Sequence, residues 1–452
     1  MPTVPIDQAM LLASEHFRAG RSAQAEAICR HVLAAQPNRP DALHLLGLLA
    51  VPAGRLDLAT ELVLKAIAAA PGNPYYHLNL ANMWIARGRP DQAIPAYQQA
   101  IALHPDFAEA HNNLGIALKD NGQFDQAITC FGRALEINPD YIEAHIHLAH
   151  ALLTTGDLAQ GWIENQWRWK SCDSDPRRNF TQPLWNAARR DARSVLLTTD
   201  QGIGDTLQFV RYASMMNDRC ETVLLQCHAE LVSVLQGVAG VSAVFPHGAT
   251  LPDFDAHFPL LSLPRVFATT LETIPAHVPY LAADPNRAAA WAAKLAQDRR
   301  LKIGLVWAGN PTHKNDRNRS IPLAALAPLS RIPGAVFVSL QKGSPAGQAP
   351  SLPDGMMLMD YTADLHDFAD TAALIANLDL VISVDTAVVH LAGAMAKPVW
   401  TLLPFVADWR WFLNRTDSPW YPTMRLFRQP AAGDWSAVVS DVAGALHSRL
   451  EM

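Results

Sequence analysis

A fixed step of 34 residues organises the first third of this 452-residue chain. Three kinds of residue return at that step, and each keeps its place relative to the other two. The prolines are Pro37, Pro71, Pro105 and Pro139; the Leu-small pairs are Leu46-Gly47, Leu80-Ala81, Leu114-Gly115 and Leu148-Ala149; the alanines are Ala25, Ala59, Ala93 and Ala127. A constant period of this length indicates one supersecondary unit stacked on copies of itself.

This period and its residues resemble the tetratricopeptide repeat, in which each unit is a pair of helices. Counting from residues 6, 40, 74 and 108 gives four full repeats, and a fifth begins at Ile142 and decays. Its first helix is predicted over 143–153 and its second over 158–170, where Gly161 replaces the usual alanine. Because a terminal repeat must cover an exposed edge, we interpret it as a cap or as the joint to the next domain.

Composition narrows the class of protein. Half of the residues are hydrophobic and 17% are charged, which is typical of a folded chain. Nucleic-acid binding usually requires a basic face, and the net charge of −6 gives no indication of one, so no nucleic-acid partner is expected. No apolar run approaches the roughly 18 residues of a membrane span, and the first residues lack a secretory pattern, so we expect a cytoplasmic protein. Five cysteines without a C-x-x-C pair argue against a disulfide framework and a zinc site.

From Ser194 onward the pattern changes to parallel α/β units. Short β-branched runs alternate with helical patterns and predict strands at 195–199, 222–227, 302–307, 335–340, 380–384 and 399–403. Residues 246–285 are rich in proline and give no assignment, and a last helix is predicted from about 435 to 450.

The predicted organisation is an α-solenoid followed by two facing Rossmann-like domains. The predicted boundaries are 1–172 for the repeats, 173–193 for a linker, 194–300 for the first α/β domain and 301–452 for the second. In such a pair a ligand cleft is expected at the carboxyl ends of the strands.

One candidate cluster, Gly202, Gly204 and Asp205, directly follows a predicted strand and opens a helix. Glycines permit a tight turn there, and a helix start offers free N–H groups to an anion. The run is not a dinucleotide fingerprint, because Leu207 stands where a third glycine is required. Asp205 is placed to act as a general base at the rim of the cleft. The alternative, that it only caps the helix, stays open.

A second strand-to-helix turn contains Asp385, Thr386, Ala387 and His390. Backbone amides at the start of this helix are suited to hold a diphosphate. The alternatives are that Asp and Thr serve only as helix caps and that the histidine serves only in packing.

Polar loops follow two further strands. The loop after 302–307 contains Asn310, Lys314, Arg317 and Arg319, and the next strand ends in Gln341 and Lys342. Cations at the carboxyl end of a Rossmann strand are suited to face a phosphate, although a solvated loop has the same composition.

Two other patterns give little. The D-x-D triplets at Asp173 and Asp175 and at Asp253 and Asp255 have no histidine beside them, so no metal site is expected. The absence of G-x-S-x-G and P-loop patterns disfavours a hydrolase or a kinase-type enzyme.

Taken in order, three segments resemble the bacterial family 9 glycosyltransferases, the heptosyltransferase group. They are GIGDTLQFVRY at 202–212, GLVWAGNPTHKNDRNRSIPL at 304–323 and ISVDTAVVHLAGAMAKPVWTLLP at 382–404. The likeness extends to versions fused behind tetratricopeptide repeats, which continue with segments like Asp408–Trp411 and Ser418–Tyr421. The layout is also similar to O-GlcNAc transferase, in which repeats feed protein acceptors to a catalytic pair of Rossmann domains.

The resemblance implies a GT-B fold and an inverting, metal-independent transfer, with a nucleotide sugar as donor and no other cofactor. Asp205 matches the aspartate of the family's Gly-Asp motif, which deprotonates the acceptor hydroxyl. Gly204 matches the glycine of that motif and is a donor-binding candidate. Asp385, Thr386 and His390 match the donor motif. The remaining donor-side candidates are Ala387, Asn310, Lys314, Arg317, Arg319, Gln341 and Lys342, with Arg319 and Lys314 as the best partners for the departing diphosphate.

The chain also departs from the heptosyltransferases. It has no clear match to their phosphate-binding lysine segment, and it adds a tryptophan-rich stretch at 408–420. A heptose donor and a lipid acceptor are therefore not implied.

The repeats sharpen the prediction of an acceptor. Their sixth positions are Asn79, Asn113 and His147, and Leu45 interrupts the series. The asparagines resemble the ladder that holds an extended peptide in O-GlcNAc transferase. An amide donates to a carbonyl and accepts from an N–H at once, so it binds backbone of any sequence. Flagellin or another surface protein enters as the acceptor only by analogy, and oligomerisation through the repeats stays open.

The leading hypothesis is thus a glycosyltransferase that modifies a hydroxyl of a protein held by the repeats. Three rivals stay open. They are a non-catalytic scaffold with a degenerate binding module, a transferase that acts on a lipid or glycan, and a nucleotide-sugar epimerase of the same fold.

Overall fold

The structure is a computed structural model that describes residues 5–171, 180–188, 192–199 and 201–450. The predicted linker over 173–193 lies partly outside those ranges, and the triplet Asp173-Ser-Asp175 lies wholly outside them. The chain divides into two compact units. The first, here the repeat unit, ends at Leu152 and also includes Trp167–Ser171; the second, here the sheet unit, contains Leu153–Gln166 and the rest of the chain.

The repeat unit is built from consecutive helix pairs. Its helices are α1 (Ile6–Arg18), α2 (Ser22–Ala35), α3 (Pro40–Ala50), α4 (Leu56–Ala69), α5 (Pro74–Ala86), α6 (Pro90–Leu103), α7 (Ala108–Asp120), α8 (Phe124–Ile137) and the start of α9 (Ile142–Thr155). The predicted solenoid is confirmed.

Glycines at the repeat period make the turn inside each pair. Gly20, Gly54, Gly88, Gly122 and Gly156 all have positive φ, from 71° to 96°. Only glycine adopts this left-handed conformation without a steric cost, so the turn fixes the residue type. This ladder is the structural reason that the period is kept so strictly.

Small residues allow the two helices of a pair to approach closely. The alanines of the period, Ala25, Ala59, Ala93 and Ala127, are fully buried. A Cβ atom added at Gly115 would lie 2.6 Å from Cε1 of Phe131, and one added at Gly47 would lie 2.9 Å from Cγ2 of Val63. Larger side chains at these positions would force the helices apart.

The second helix of the fifth repeat is not continuous, so its prediction over 158–170 is wrong in detail. It consists of α10 (Leu158–Glu164), a 3₁₀ turn (Asn165–Trp167) and α11 (Arg168–Ser171). Trp162 is buried in the sheet unit, where its indole N–H donates to the carbonyl of Thr269 at 3.1 Å. Gly161 is required because a Cβ atom there would lie 2.7 Å from Leu153. Residues of the decaying repeat therefore belong to the core of the sheet unit.

The sheet unit contains two parallel sheets with orders β3-β2-β1-β4 and β10-β9-β8-β5-β6-β7. The strands are β1 (Ser194–Thr198), β2 (Thr222–Cys227), β3 (Ala243–Pro246), β4 (Ala256–Pro259), β5 (Leu301–Val306), β6 (Ala335–Ser339), β7 (Leu358–Asp360), β8 (Leu380–Val384), β9 (Val399–Leu403) and β10 (Met424–Arg428). The helices are α12 (Ile203–Phe209), α13 (Val232–Leu235), α14 (Leu263–Val266), α15 (Pro285–Leu295), α16 (Asp316–Arg319), α17 (Phe368–Ala376), α18 (Ala387–Ala394) and α19 (Trp435–Leu450). An α/β region after the repeats is thus confirmed.

All six predicted strands are present within one residue of their expected bounds. The four that the sequence did not predict are β3, β4, β7 and β10, and each of them is an edge strand of its sheet. Among the residues that the structure describes, no helix has the length and apolar character needed to span a membrane.

Candidate active site

The two predicted strand-to-helix motifs come together where α12 packs against α18. A Cβ atom added at Gly204 would lie 3.0 Å from Cδ2 of His390 and 3.6 Å from Cα of Ala387. Glycine is therefore needed for the close approach of the two helices. The expected role in a tight turn is not what requires it, because Gly204 is not among the glycines with positive φ.

Asp205 caps its own helix and also lies in the site. Its Oδ2 accepts a hydrogen bond from the backbone N–H of Gly202 at 2.9 Å, and its Oδ1 forms a close ion pair with Nη2 of Arg410. The side chain is 22% exposed. A carboxylate has about four lone-pair sites, so two remain for a further donor such as a hydroxyl group.

Arg410 is a buried cation that the sequence did not single out. Besides the ion pair with Asp205, its Nε donates to Oε1 of Gln208 and its Nη1 donates to Oδ1 of Asp408, each at 2.7 Å. Burial lowers the pKa of Arg410 to about 9, while Tyr421 opposes the shift. The guanidinium therefore stays charged at neutral pH, held between two carboxylates.

His390 is held as a neutral imidazole. Its Nδ1 lies 2.9 Å from the hydroxyl of Tyr421, and its ring stacks on Trp411 with centroids 5.4 Å apart. Burial, together with the nearby Arg211, lowers the pKa of His390 to about 3. It can therefore contribute a hydrogen bond near neutral pH but not a positive charge.

A second missed cation, Arg211, anchors the same region. Its guanidinium donates to the carbonyls of Trp420 and Pro275 at 2.7 and 3.1 Å and to the hydroxyl of Tyr280 at 2.8 Å. The side chain also lies over the ring of Tyr421 at 4.6 Å. An arginine inside an otherwise apolar run, FVRYASMM, was the available signal, since such a residue is rarely buried without several partners.

Arg319 is the loop cation that reaches the donor motif. Its Nη1 donates to the backbone carbonyl of Asp385 at 3.1 Å, and its Nε to Oδ1 of Asp316 at 3.2 Å. A Cβ atom added at Gly309 would lie 2.6 Å from Nη2 of Arg319, which explains the glycine. Burial raises the pKa of Asp385, whereas Trp411 and Arg319 oppose that shift.

The neighbouring residues of the motif are arranged by local bonds. The hydroxyl of Thr386 lies 3.1 Å from that of Ser383, and Ala387 is the first residue of α18. The amides at the start of this eight-residue helix therefore come directly after the Asp385-Thr386 pair.

The other loop candidates are not drawn into the motif. Lys314 and Arg317 are exposed and make no hydrogen bond or ion pair with the described parts of the chain. Asn310 is also exposed, and its side chain accepts from the backbone N–H and the hydroxyl of Thr312.

Gln341 and Lys342 are occupied by the protein itself. Oε1 of Gln341 accepts from the N–H groups of Trp307 and Ala308, and its Nε2 donates to the carbonyls of Ala308 and Lys342. The ammonium of Lys342 donates to the carbonyls of Thr362 and Leu365. Both hydrogens and both lone pairs of the Gln341 side-chain amide are therefore used within the protein, so its contacts indicate a supporting role.

The acceptor candidates on the repeats lie on the first helix of each pair and also have partners. Nδ2 of Asn79 lies 3.0 Å from both Nε2 of His44 and the carbonyl of Tyr75. Nδ2 of Asn113 donates to Oδ1 of Asn82 at 3.3 Å. A peptide would have to share or replace these bonds.

His147, the third acceptor candidate, packs on Phe131 with ring centroids 5.7 Å apart. Burial lowers its pKa to about 4, with Lys119 adding to the shift.

Metal ligands do not gather in the described ranges, where no three His, Cys, Asp or Glu side chains are close enough to hold an ion. The Asp255 carboxylate accepts from the backbone N–H groups of Arg193 and Ser194, each at 2.8 Å. Asp255 therefore has a structural role, in which it binds the backbone at the start of β1. Metal independence itself stays a prediction.

Two cavities of the described structure are lined by residues other than Asp205. One, of about 970 Å³, is lined by residues of β9, β10 and α19, among them Trp400, Arg425 and Arg449. The other, of about 630 Å³, is in the repeat unit and includes His44 and Tyr75. Neither contains a residue of the two motifs.

Models of known protein families match segments of both the repeats and the α/β region. Tetratricopeptide repeat models match residues 10–74, 81–122, 108–141 and 142–161. The model described as "Glycosyltransferase family 9 (heptosyltransferase)" matches residues 365–404, which include Asp385 and His390 but not Asp205. Protein FlbA of Caulobacter vibrioides is 28% identical over 324 residues, covering 64% of this chain and 52% of that protein. Together these matches support a repeat-fused, glycosyltransferase-like protein. The chain spans about half the length of FlbA.

Solved structures resemble the chain over about a third of its length. MamA is 23% identical and covers 35% of this chain and 92% of its own, with a TM-score of 0.33. Pseudomonas aeruginosa PilF is 20% identical and covers 38% of this chain and 78% of its own, with a TM-score of 0.36. At such TM-scores these likenesses carry no further conclusion.

Proposed function

We propose that this protein is an inverting glycosyltransferase of the GT-B fold. It moves a sugar from a nucleotide-sugar donor to a hydroxyl group of a protein held by the repeats, without a bound metal ion. The observation that carries the proposal is the contact of the Gly-Asp motif with the donor motif, where Gly204 meets His390 and Ala387. A general base and a diphosphate site must lie this close for one sugar to pass between them.

The reaction divides between the two motifs. The acceptor hydroxyl gives its proton to the Asp205 carboxylate as its oxygen attacks the anomeric carbon, and the bond from that carbon to the diphosphate oxygen breaks. The negative charge that appears on the diphosphate is stabilised by the amides at the start of α18 and by Arg319, which already touches Asp385.

The neutral His390 supplies a hydrogen bond to the donor rather than a charge. Lys314 and Arg317 are exposed and free to approach a phosphate when a donor enters. Gln341 and Lys342 support the loops around them.

The proposed acceptor is a polypeptide because tetratricopeptide repeats are surfaces for protein interaction. The amide groups of Asn79 and Asn113 provide donors and acceptors suited to an extended backbone. A lipid or glycan acceptor is the alternative.

A non-catalytic scaffold is the second candidate, and one observation favours it. Asp205 is held by an ion pair to Arg410, and an ion-paired carboxylate is a weaker base than a free one. In a scaffold the same pair would only join parts of the fold.

Thermal unfolding of the full chain with ADP, CDP, GDP, UDP and their sugars tests the proposal. A ligand present at a hundredfold excess over its Kd stabilises the folded state by about 2.7 kcal/mol. We expect one nucleotide class to raise the melting temperature, and Asp385→Asn to remove the shift. Asp417→Asn is the matched control, since Asp417 is 66% exposed and its carboxylate pairs with Arg415. No shift by any nucleotide in a folded sample contradicts the proposal and favours the scaffold.

A further inference from the structure

The segment Asp408–Phe412, here called the tryptophan segment, follows β9 and is held from several directions. The ring of Trp409 packs edge-on against Trp162 with centroids 5.4 Å apart and lies 6.2 Å from Phe209. Nη2 of Arg428 donates to the carbonyls of Trp411 and Phe412 at 3.1 and 2.8 Å. With Trp411 stacked on His390, the segment is fixed on both its side-chain and its backbone sides.

The backbone of this segment has a conformation that needs such support. Phe412 is buried, yet its φ is +50°, in the left-handed region that large side chains avoid. A residue persists there only where its surroundings determine it, and such positions concentrate at functional sites.

What the segment presents to the site is the Arg410 guanidinium. Three of its nitrogens are fixed by Gln208, Asp408 and Asp205. Gln208 and Asp205 belong to α12, so the guanidinium is aligned with the helix that carries the proposed base. A planar guanidinium held by three acceptors fixes both the position and the charge state of a carboxylate that contacts it.

We propose that Arg410 is a positioning residue for Asp205. It keeps the carboxylate ionised and fixes its orientation, so that the remaining lone pairs of Asp205 accept the proton of the acceptor hydroxyl. Trp162, from the decaying repeat, supports Arg410 through Trp409. This inference rests on the proposed function and assigns a role to a stretch that the heptosyltransferase likeness does not explain.

Several charged and titratable groups of the described residues surround this pair. They include Asp205 on α12, Asp408 in the segment itself, Arg211 in the turn that follows α12, His390 on α18, Tyr421 before β10, Asp385 beside Trp411, and Arg428, which holds the backbone of the segment. His390 is neutral over the working range of pH, so Arg410 is the cation that acts directly on Asp205.

The test compares Arg410→Gln and Arg410→Lys with wild type in the full-length protein. Arg415→Gln is the matched control, because Arg415 is 36% exposed and pairs with Asp417 outside the site. The measurements are the Kd of the nucleoside diphosphate that stabilises wild type and the pH dependence of kcat/KM for sugar transfer.

For Arg410→Gln we expect kcat to fall by about 100-fold, because the base is no longer held in its reactive position. The acid limb of the pH profile should move to higher pH by about one unit or more, since the removed cation favours the ionised carboxylate. Nucleotide Kd should change less than about threefold, and Arg415→Gln should match wild type. Arg410→Lys restores the acid limb but only part of kcat, because an ammonium lacks the planar fork.

Two outcomes overturn the inference while the proposed function stands. A large loss of nucleotide affinity with an unmoved acid limb makes Arg410 a donor ligand, and a profile identical to that of Arg415→Gln makes it structural. If Arg410→Gln fails to unfold cooperatively, Arg410→Lys decides alone by the same profile.

A second readout needs no substrate. With carbon-13-labelled aspartate, the Asp205 carboxyl resonance, identified by its loss in Asp205→Asn, should titrate at higher pH in Arg410→Gln than in wild type. An unchanged titration overturns the inference. If wild type binds no nucleotide, the proposed function fails separately, and this titration still decides whether Arg410 controls Asp205.

Discussion

The repeat unit and the sheet unit differ in the sequence separation of the residues whose contacts shape them. In the repeat unit the decisive contacts are short in sequence, as between Gly115 and Phe131 in one helix pair. In the sheet unit, Gly204 meets His390 and Asp205 meets Arg410, across more of the chain than a whole repeat. A repeated local solution leaves a period in the sequence, whereas a site assembled from distant segments leaves only short motifs.

The largest expected effect concerns the border between the two units. Deleting residues 1–170 removes Leu153, Leu158 and Trp162, which are buried in the core of the sheet unit. Burial of such side chains contributes about 1.5–3 kcal/mol each, and their combined loss is comparable to the total stability of many domains. We expect this truncation to lose cooperative unfolding in circular dichroism. A chain that begins at Ile142 keeps all three and is expected to fold; equal behaviour of the two would contradict the assignment.

Glycine substitutions sharpen the comparison at single residues. Gly204→Ala places a methyl group 3.0 Å from His390, and we expect a loss of about 1–3 kcal/mol and weaker nucleotide binding. Gly88→Ala is the matched change in the repeat unit, where φ is +71° and, beyond the adjoining residues, no described atom lies within 4 Å of the new methyl. It should cost about 1 kcal/mol through backbone strain alone. Chemical denaturation and a nucleotide titration measure both; altered binding in Gly88→Ala would break the distinction.

The strands that the sequence predicts differ from those that it does not predict in how completely they are covered. Central strands such as β5 and β8 are covered on both faces, so they appear as apolar runs that the sequence predicts. The edge strand β3 is half-buried along its whole length, and β10 is interrupted by the exposed Arg425 and ends in the half-buried Arg428, so neither forms such a run.

The sequence predicted the motifs of the site and the loop cation Arg319, but not the two buried cations. Asp205, Asp385 and His390 follow strands in a recognisable order. Arg410 and Arg211 are defined instead by buried partners that come from other segments, Gln208 and Tyr280 among them. No regular spacing in the sequence predicts these contacts.

Lowering the pH should reduce the folding stability of both units, because each contains buried histidines. This effect is expected to be smaller than those of the truncation and the glycine substitutions. Burial lowers the pKa of His44 and His147 to about 4 in the repeat unit, and that of His390 to about 3 in the sheet unit. Their ordinary value of 6.5 applies to the unfolded chain, which therefore binds more protons below that pH. Stability is full above pH 6.5 and falls as the pH drops toward 4. Asp385 acts in the opposite sense. Burial raises its pKa, so the folded state favours the protonated carboxyl, and this contribution to stability is lost as the pH rises.

We expect a loss of about 1 kcal/mol for each histidine between pH 6.5 and 5.5, measured by urea unfolding. His390→Gln should reduce the pH dependence of the sheet unit, and His147→Gln should remove one of the two histidine contributions in the repeat unit, leaving that of His44. A stability that is constant over this window would contradict the buried, neutral state of these side chains.

If the two motifs form one site with divided tasks, changes at Asp205 and at Asp385 should affect different steps. Nucleotide affinity and sugar transfer are measured in Asp205→Asn and Asp385→Asn of the full-length protein. We expect Asp205→Asn to keep the nucleotide affinity and to lose transfer by about 100-fold to 10,000-fold, the usual contribution of a general base. We expect Asp385→Asn to lose the nucleotide affinity itself. Transfer that survives in Asp205→Asn, or a wild type that binds no nucleotide, would contradict this division of tasks.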